Sequence, residues 1–325
     1  MVNMQINNKL KSVAVIIGLV SVVLVSSCNA QNGPSKNGFD LSNASISVDE
    51  ILSGGPGKDG IPAINNPLFV TKDEADFIKD KDRVLALEID GVAKAYPINI
   101  LNWHEIVNDN IGGKAFAVTY CPLCGTGAVF SADIAGEQSR FGVSGLLYNS
   151  DVLLYDERTD SLFSQILSEA ISGPLVGEKL TSLVSTHTTW GKWKELHPNT
   201  LVLSTDTGYR RDYTRNPYGG YGTSRALYFP APSSSVNADS FHPKETVIGL
   251  VDGDRVKAYP FSELDKNNKS EFTDMIDRQS YTILWDSQSK TAKIKDQSGN
   301  VVPTIQGFYF AWVAFYPESL IYTTK

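Results

Sequence analysis

Cysteine and histidine are scarce in this sequence, which has 3 cysteines and 4 histidines in 325 residues. Only Cys121 and Cys124 lie in the body of the chain, because Cys28 belongs to an N-terminal signal. Two cysteines are too few for a disulfide framework, so the fold depends on its hydrophobic core. The four histidines also leave few combinations of residues able to complete a metal site around the two thiols.

The sequence also lacks an excess of basic residues, with 29 Lys and Arg against 36 Asp and Glu and a net charge of −7. Removing the signal takes away Lys9 and Lys11 and leaves the remainder more negative. An acidic surface argues against nucleic acid as a partner and against a basic face that docks on membranes. No phosphate-cradling Gly-Lys-Ser/Thr motif and no dinucleotide fingerprint follows a predicted strand.

The one long apolar run, Val13–Val25, is too short to span a bilayer comfortably. It follows the two lysines and precedes Ser26-Ser27-Cys28, which is the pattern of a bacterial lipoprotein signal. We predict a signal peptide at residues 1–27 and a flexible tether at residues 28–44, with lipidated Cys28 anchoring the protein in the bilayer. This places it in the bacterial cell envelope, facing the periplasm or the exterior; the alternative is a plain secretory peptide.

Two segments of the chain, residues 84–97 and 247–260, align without a gap and share six identical positions, including Lys-Ala-Tyr-Pro. Each holds Asp-Gly between apolar runs, which predicts a β-hairpin. Residues 193–202 and 312–321 form a second matching pair further along. The matches occur in the same order and therefore predict a duplicated domain.

We predict a β-rich α+β fold built from two diverged copies of a β-hairpin-containing domain. Copy one covers residues 45–203 and copy two residues 241–325, with a linker at residues 204–240. Copy one carries an insert of about 44 residues, placed near residues 141–185. Its strands are predicted at residues 84–97, 115–121, 127–132 and 140–148, and its short helices at residues 98–108 and 189–196.

Cys121-Pro122-Leu123-Cys124-Gly125 follows the apolar strand of residues 116–120 and has no cysteine counterpart in copy two. The spacing fits three structures: a two-thiolate metal site, a dithiol that cycles with a disulfide, and a static brace. A metal such as zinc would need histidines or carboxylates as further ligands, and His104 is the best candidate. The thioredoxin βαβ context is missing, which disfavours the redox alternative.

The insert holds hydrogen-bonding residues beside strand-like apolar residues. They are candidates to line a pocket, although Asn-Ser-Asp equally favours a turn. These candidate pocket residues are Ser144, Tyr148, Asn149, Asp151 and Gln165.

Four motifs of the chain resemble the DUF3179 family over about residues 45–322. They are Asp59-Gly60-Ile61-Pro62-Ala63, Trp103-His104-Glu105-Ile106-Val107-Asn108-Asp109, Thr119-Tyr120-Cys121-Pro122-Leu123-Cys124-Gly125-Thr126 and Phe141-Gly142-Val143-Ser144-Gly145-Leu146-Leu147-Tyr148-Asn149-Ser150-Asp151. The resemblance implies an exported bacterial protein and supplies no catalytic residues.

The leading hypothesis is therefore a metal-binding or thiol-dependent site at Cys121 and Cys124 with His104 nearby. In an enzyme the metal would polarise a substrate or activate water. The competing hypothesis is a non-catalytic envelope module in which the cysteines brace a turn.

Overall fold

The structure is a computed structural model that describes Met1 and residues 33–324. Residues 2–27 of the predicted signal peptide, and Cys28, lie outside the described residues.

The helices and strands of the described chain are numbered from the N-terminal end. The first are β1 Ser35–Lys36, β2 Phe39–Asp40, β3 Ile51–Ser53, β4 Phe69–Thr71, β5 Arg83–Ile89, β6 Val92–Pro97, α1 Ile98–His104, β7 Ile106–Ile111, β8 Lys114–Cys121 and β9 Thr126–Ser131. The middle ones are β10 Asp133–Ile134, β11 Glu137–Gln138, β12 Phe141–Tyr148, β13 Asp151–Asp156, β14 Leu162–Ser164, β15 Glu169–Ser172, β16 Ser182–Leu183, β17 Thr186–Thr189, α2 Trp190–Leu196 and β18 Leu201–Leu203. The last are β19 Thr246–Asp252, β20 Arg255–Pro260, α3 Phe261–Asn267, β21 Glu271–Ile276, β22 Gln279–Asp286, β23 Thr291–Lys295, β24 Ile305–Phe308, α4 Tyr309–Phe315 and β25 Leu320–Ile321.

Most of these strands belong to four sheets. An eight-stranded sheet has the order β25-β20-β19-β24-β9-β8-β7, with β16 also paired to β9. Two five-stranded sheets have the orders β17-β5-β6-β18-β4 and β15-β14-β13-β12-β3, and β21-β22-β23 form a three-stranded sheet. The fold is therefore β-rich α+β, as the sequence predicted.

Both predicted hairpins form, with a two-residue turn in each. In the first, Ile89 pairs with Val92, and Asp90 and Gly91 make the turn with φ of 50° and 79°. In the second, Asp252 pairs with Arg255, so the turn is Gly253-Asp254 instead of the Asp-Gly that we expected. Only the first turn residue there has a positive φ, which glycine adopts at no steric cost.

The segments predicted as two copies share a sheet. Strands β7, β8, β9 and β16 of the first segment join β19, β20, β24 and β25 of the second in the eight-stranded sheet. The described chain from Gly33 onwards accordingly forms one compact unit. The two segments are therefore joined through one sheet in a single compact unit.

The helix predicted over residues 98–108 is correct only in its first part. Helix α1 ends at His104, and Ile106–Ile111 form strand β7, which pairs with β8. Glu105 breaks the helix with φ 57° and ψ −32°. These residues form a strand because Ile106 and Val107 are β-branched and lie fully buried in the sheet. The apolar pattern alone predicted a longer helix.

The second part of the predicted tether is packed instead of flexible. Strands β1 and β2 form a small hairpin, and Phe39 and Leu41 are each 1% exposed. The Phe39 ring lies 5.2 Å from the ring of Tyr155 in the β15-β14-β13-β12-β3 sheet, which we call the insert sheet. Apolar burial therefore holds residues 33–44 on the folded unit.

Both cysteines lie in an apolar core formed by strands β8 and β9, the insert sheet and helix α4. This core also contains Phe130, Phe141 and Phe163. No helix among the described residues is long and apolar enough to cross a membrane.

Candidate metal site

The two cysteines lie at the tip of the β8–β9 hairpin. Cys121 ends β8 and pairs with Thr126, which begins β9, so Cys124 lies in the four-residue loop between them. Gly125 has φ 61°, and a Cβ atom there would lie 2.9 Å from Cζ of Phe308. The backbone N–H of Phe308 donates to the Cys124 carbonyl at 2.7 Å. The loop is thus fixed against the chain that leads into helix α4.

A second tight turn brings a carboxylate to these thiols. Asn149 and Ser150 connect β12 to β13 with φ of 49° and 66°, so Asp151 begins β13. One ligand atom each from Cys121, Cys124 and Asp151 lie within 4.8 Å of one another. Both thiols are free, and all three side chains are buried. Thiolate and carboxylate are both zinc ligands, so this group has the chemistry of a metal site.

A chain of buried hydrogen bonds reaches Asp151 from the sheet. The Thr119 hydroxyl donates to the Ala128 carbonyl at 2.9 Å, and Gln165 Nε2 donates to Thr119 Oγ1 at 2.8 Å. Gln165 Oε1 therefore accepts the Thr126 hydroxyl at 2.6 Å. Thr126 Oγ1 lies 3.2 Å from Asp151 Oδ1 and has no second proton to donate. The single Thr126 proton is therefore shared between Gln165 Oε1 and Asp151 Oδ1, and these bonds fix the Asp151 carboxyl beside the hairpin.

The electrostatics of the site favour protonated groups when no cation is bound. Burial raises the pKa of both thiols, and it raises the pKa of the Asp151 carboxyl to about 7. The same desolvation raises the pKa of the Glu105 carboxyl to about 7. Removing charged groups from water disfavours their ionised forms. A divalent cation reverses this preference, because its charge stabilises thiolates and carboxylates directly.

Glu105 is a buried acid near the site that the sequence reasoning missed. It caps α1 in an uncommon backbone conformation and accepts a hydrogen bond from the Tyr218 hydroxyl at 3.2 Å. Its charge contributes to raising the pKa of Cys121. Backbone strain of this kind often accompanies functional positions. The motif around His104 contains Glu105, but the predicted longer helix concealed its position.

The predicted linker covers the cysteine hairpin. Tyr221 is 2% exposed and lies in the same core cluster as Cys121 and Cys124. The Ser150 hydroxyl donates to the Phe229 carbonyl at 2.6 Å. Lys244 Nζ lies 3.7 Å from the centre of the Tyr221 ring and donates to the Ala226 carbonyl at 3.0 Å. Residues 218–229 are thus held over the site by polar contacts.

His104 forms hydrogen bonds to residues other than Cys121, Cys124 and Asp151. Its Nδ1 donates to the Pro62 carbonyl at 2.8 Å, so Nε2 accepts the Tyr213 hydroxyl at 2.6 Å. Burial lowers the pKa of the imidazole, which keeps it neutral. The structure brings Asp151 to the two sulfurs and leaves His104 outside that group of ligand atoms.

The five candidate pocket residues separate into two sets. Asp151 and Gln165 reach the cysteine hairpin through the buried hydrogen bonds. Ser144 instead donates to the Leu153 carbonyl within the insert sheet, and the Tyr148 ring packs 5.3 Å from that of Phe315. Asn149 is the first residue of the turn, as the alternative interpretation expected.

A separate cleft of about 610 Å³ lies beyond Ile166, with Tyr281 and Tyr316 among its lining residues. Neither cysteine lines it. The Ile166 backbone connects the two regions, because its N–H donates to Asp151 Oδ2 at 3.1 Å and its carbonyl accepts the Tyr316 hydroxyl at 3.0 Å.

Comparisons with known proteins give a family but no activity. No curated protein and no solved structure matched the chain. The family model described as "Protein of unknown function (DUF3179)" matches residues 58–301, which include the cysteine hairpin, Asp151 and Glu105. Because this match covers most of the chain, the protein belongs to the DUF3179 family.

Proposed function

We propose that Cys121, Cys124 and Asp151 bind a transition metal such as zinc. The observation that carries this proposal is the convergence of two free thiols and one carboxyl, all buried, within 4.8 Å. Unpaired acidic groups are costly to bury unless they are neutralised or bind a cation. A divalent metal removes that cost, because it replaces the protons and coordinates the same atoms.

The pKa directions support the metal over the dithiol–disulfide alternative. Redox-active cysteines owe their reactivity to a lowered thiol pKa. Here burial raises the pKa of Cys121 and Cys124, and the thiol–metal interaction would lower it. A bound metal would supply Lewis acidity beside Glu105, the nearby acid with a pKa of about 7.

The test is elemental analysis of the purified full chain, combined with a count of reactive thiols after denaturation. We expect about one equivalent of metal, as in mononuclear protein sites. Cys121→Ser with Cys124→Ser, and separately Asp151→Asn, should abolish stoichiometric metal. Ser144→Ala is the matched control, because its hydroxyl bonds within the insert sheet.

Wild-type protein that binds no metal on reconstitution, although Cys121 and Cys124 react as free thiols after denaturation, would refute the metal proposal. That result would favour the non-catalytic envelope module, in which the cysteines brace the loop against Phe308.

We also propose that the protein is exported and anchored in the bacterial cell envelope through lipidated Cys28. The support is the order of basic residues, apolar run, small residues and cysteine in residues 9–28. Mass spectrometry of the N-terminal peptide tests this proposal. We expect a lipid-modified Cys28, and release of the Cys28→Ala variant from membranes. An unmodified N-terminus at another residue would contradict it.

We further propose that the chain contains two diverged copies of one unit, with an insert in the first. The support is that β17-β5-β6-β18 and β24-β19-β20-β25 have the same order and the same pairing directions. Each set is accompanied by a three-stranded meander, β7-β8-β9 or β21-β22-β23. An experimental structure in which the corresponding Cα atoms fail to superpose would exclude this proposal.

A further inference from the structure

We propose that the metal bound by Cys121, Cys124 and Asp151 keeps a fourth position open to a water molecule, and that the Tyr221 hydroxyl hydrogen-bonds to this water. This inference rests on the proposed metal site. It concerns the kind of site, because an open position distinguishes a reactive metal centre from a structural one.

The number of ligands is the first argument. Structural zinc sites take four protein ligands, whereas catalytic sites take three and complete the shell with water. Among the described residues, the group of metal-ligating side chains contains three members. His104 has both ring nitrogens engaged by Pro62 and Tyr213, and Glu105 lies outside the group.

The Tyr221 hydroxyl is the second and independent argument. Within the described residues the proton of this buried hydroxyl has no acceptor, and the Tyr228 backbone N–H faces its oxygen only as a weak donor. Buried hydroxyls almost always have a partner, and an unpaired one costs about 1–3 kcal/mol. Tyr221 packs in the core cluster that contains both cysteines, so a water on the metal is a suitable partner for it.

Lys244 supports the same assignment through charge. Two thiolates and one carboxylate exceed the charge of a divalent metal by one negative unit. Lys244 is 6% exposed, stacks on the Tyr221 ring and donates to the Ser224 and Ala226 carbonyls. Its positive charge offsets the excess, so the loaded site is neutral overall and suits a neutral ligand such as water.

The environment of this position has a defined chemistry. The Tyr221 O–H is a donor for the oxygen bound to the metal, and the Glu105 carboxyl is a buried proton acceptor close to the site. The Tyr218 hydroxyl donates to Glu105 Oε1 and so orients that carboxyl. The ligand class is therefore a small oxygen donor, with small anions able to compete for the same position.

The experiment uses the full-length chain reconstituted with Co²⁺. A sulfur-to-cobalt charge-transfer band reports metal binding at the thiols, and its absence would refute the proposed metal site itself. With the band present, exchange into H₂¹⁷O should broaden the electron paramagnetic resonance signal of the cobalt. An unbroadened signal, together with visible bands that azide does not change, would show a closed shell and overturn the open position alone.

Tyr221→Phe tests the hydroxyl, and Tyr228→Phe is its matched control. The Tyr228 ring lies 4.3 Å from that of Tyr221, but Tyr228 is 58% exposed. We expect Tyr221→Phe to keep the charge-transfer band and to weaken azide binding about tenfold, the value of one good hydrogen bond. Tyr228→Phe should bind azide as the wild type does. Equal azide affinity in all three proteins would overturn the role of Tyr221.

Discussion

The tips of the β8–β9 and β22–β23 hairpins have the same geometry but different chemistry. Cys121 pairs with Thr126 in the first, and Asp286 pairs with Thr291 in the second, with four loop residues in each. The last loop residue has a positive φ in both, 61° at Gly125 and 48° at Lys290.

Each tip also packs against a strand that leads into a helix. In the first tip, the Cys124 carbonyl accepts a hydrogen bond from the Phe308 N–H. In the second, Thr291 Oγ1 lies 2.7 Å from Thr188 Oγ1, next to the residue that caps α2. Both loops are thus held in place, although only the first contains cysteines. The difference indicates that the thiols serve a purpose other than forming the hairpin.

The pKa shifts in opposite directions for Asp151, which lies beside the first tip, and for Asp286, which lies at the second. Asp151 belongs to the insert and is fully buried, and desolvation raises its pKa to about 7. Burial also raises the pKa of Asp286, but hydrogen bonds from Ser289 and Gln288 outweigh it, so the net shift lowers the pKa. The insert is therefore what converts a hairpin tip into a site that favours bound protons or a metal.

Metal removal should give the largest difference between the tips. A ligand present at a thousand times its Kd stabilises the folded state by about 4 kcal/mol. We expect a chelator to lower the Tm of the wild type and of an Asp286→Ala, Ser289→Ala variant. It should leave the Tm of the Cys121→Ser, Cys124→Ser variant unchanged. Calorimetry with and without chelator measures this, and an equal response of all three proteins would remove the distinction between the tips.

The pH dependence of the metal-free protein should separate Asp151 from Asp286. The folded-state pKa of Asp151 is raised, so its contribution to stability is complete below pH 3.8 and disappears as the pH rises through about 7. The loss is up to about 4 kcal/mol, and Asp151→Asn should remove it. The folded-state pKa of Asp286 is lowered, so its contribution is present above pH 3.8 and is lost on further acidification.

Urea unfolding of the chelated protein between pH 3 and pH 8 measures both effects. A wild type and an Asp151→Asn variant with identical pH profiles would contradict the raised pKa of Asp151.

Substitution of Gly125 should change the free energy of unfolding more than substitution of Lys290, which occupies the same loop position in the second hairpin. Gly125→Ala places a Cβ 2.9 Å from the Phe308 ring at a positive φ, and we expect a loss of about 1–3 kcal/mol. Lys290→Gly relieves a positive φ but removes a half-exposed ion pair with Asp265, so its net effect should be within about 1 kcal/mol. Denaturant unfolding of both variants tests this order, which equal losses would contradict.

His104 should have the smallest effect on the metal. Its ring nitrogens bind Pro62 and Tyr213, so His104→Gln should keep the metal stoichiometry. The variant should lose about 1–3 kcal/mol of stability, because a buried hydroxyl and carbonyl lose their partner. Metal content and urea unfolding measure the two quantities separately. Loss of the metal from a folded variant would restore the ligand role that the sequence predicted.

The periodic features of the chain were accessible from sequence. Both hairpins, the short helix α2 and the strand before Cys121 follow local rules of alternation, turn residues and capping. The second part of the helix predicted over residues 98–108 failed, because burial of Ile106 and Val107 in a sheet outweighed the helical spacing. The prediction of a flexible tether failed at Phe39 and Leu41 for a similar reason, because Tyr155, against which they pack, lies far along the chain.

The sequence by itself determined the two thiols, their place after a strand and the membership of the family, because each depends on neighbouring residues or on motifs. Only the tertiary structure decided that Asp151 joins the thiols, that Glu105 lies nearby and that the segment with Tyr221 covers them. Those contacts join residues that are far apart in the chain. The pKa values of Asp151, Glu105 and the thiols depend on burial that exists only when the insert and the linker pack together.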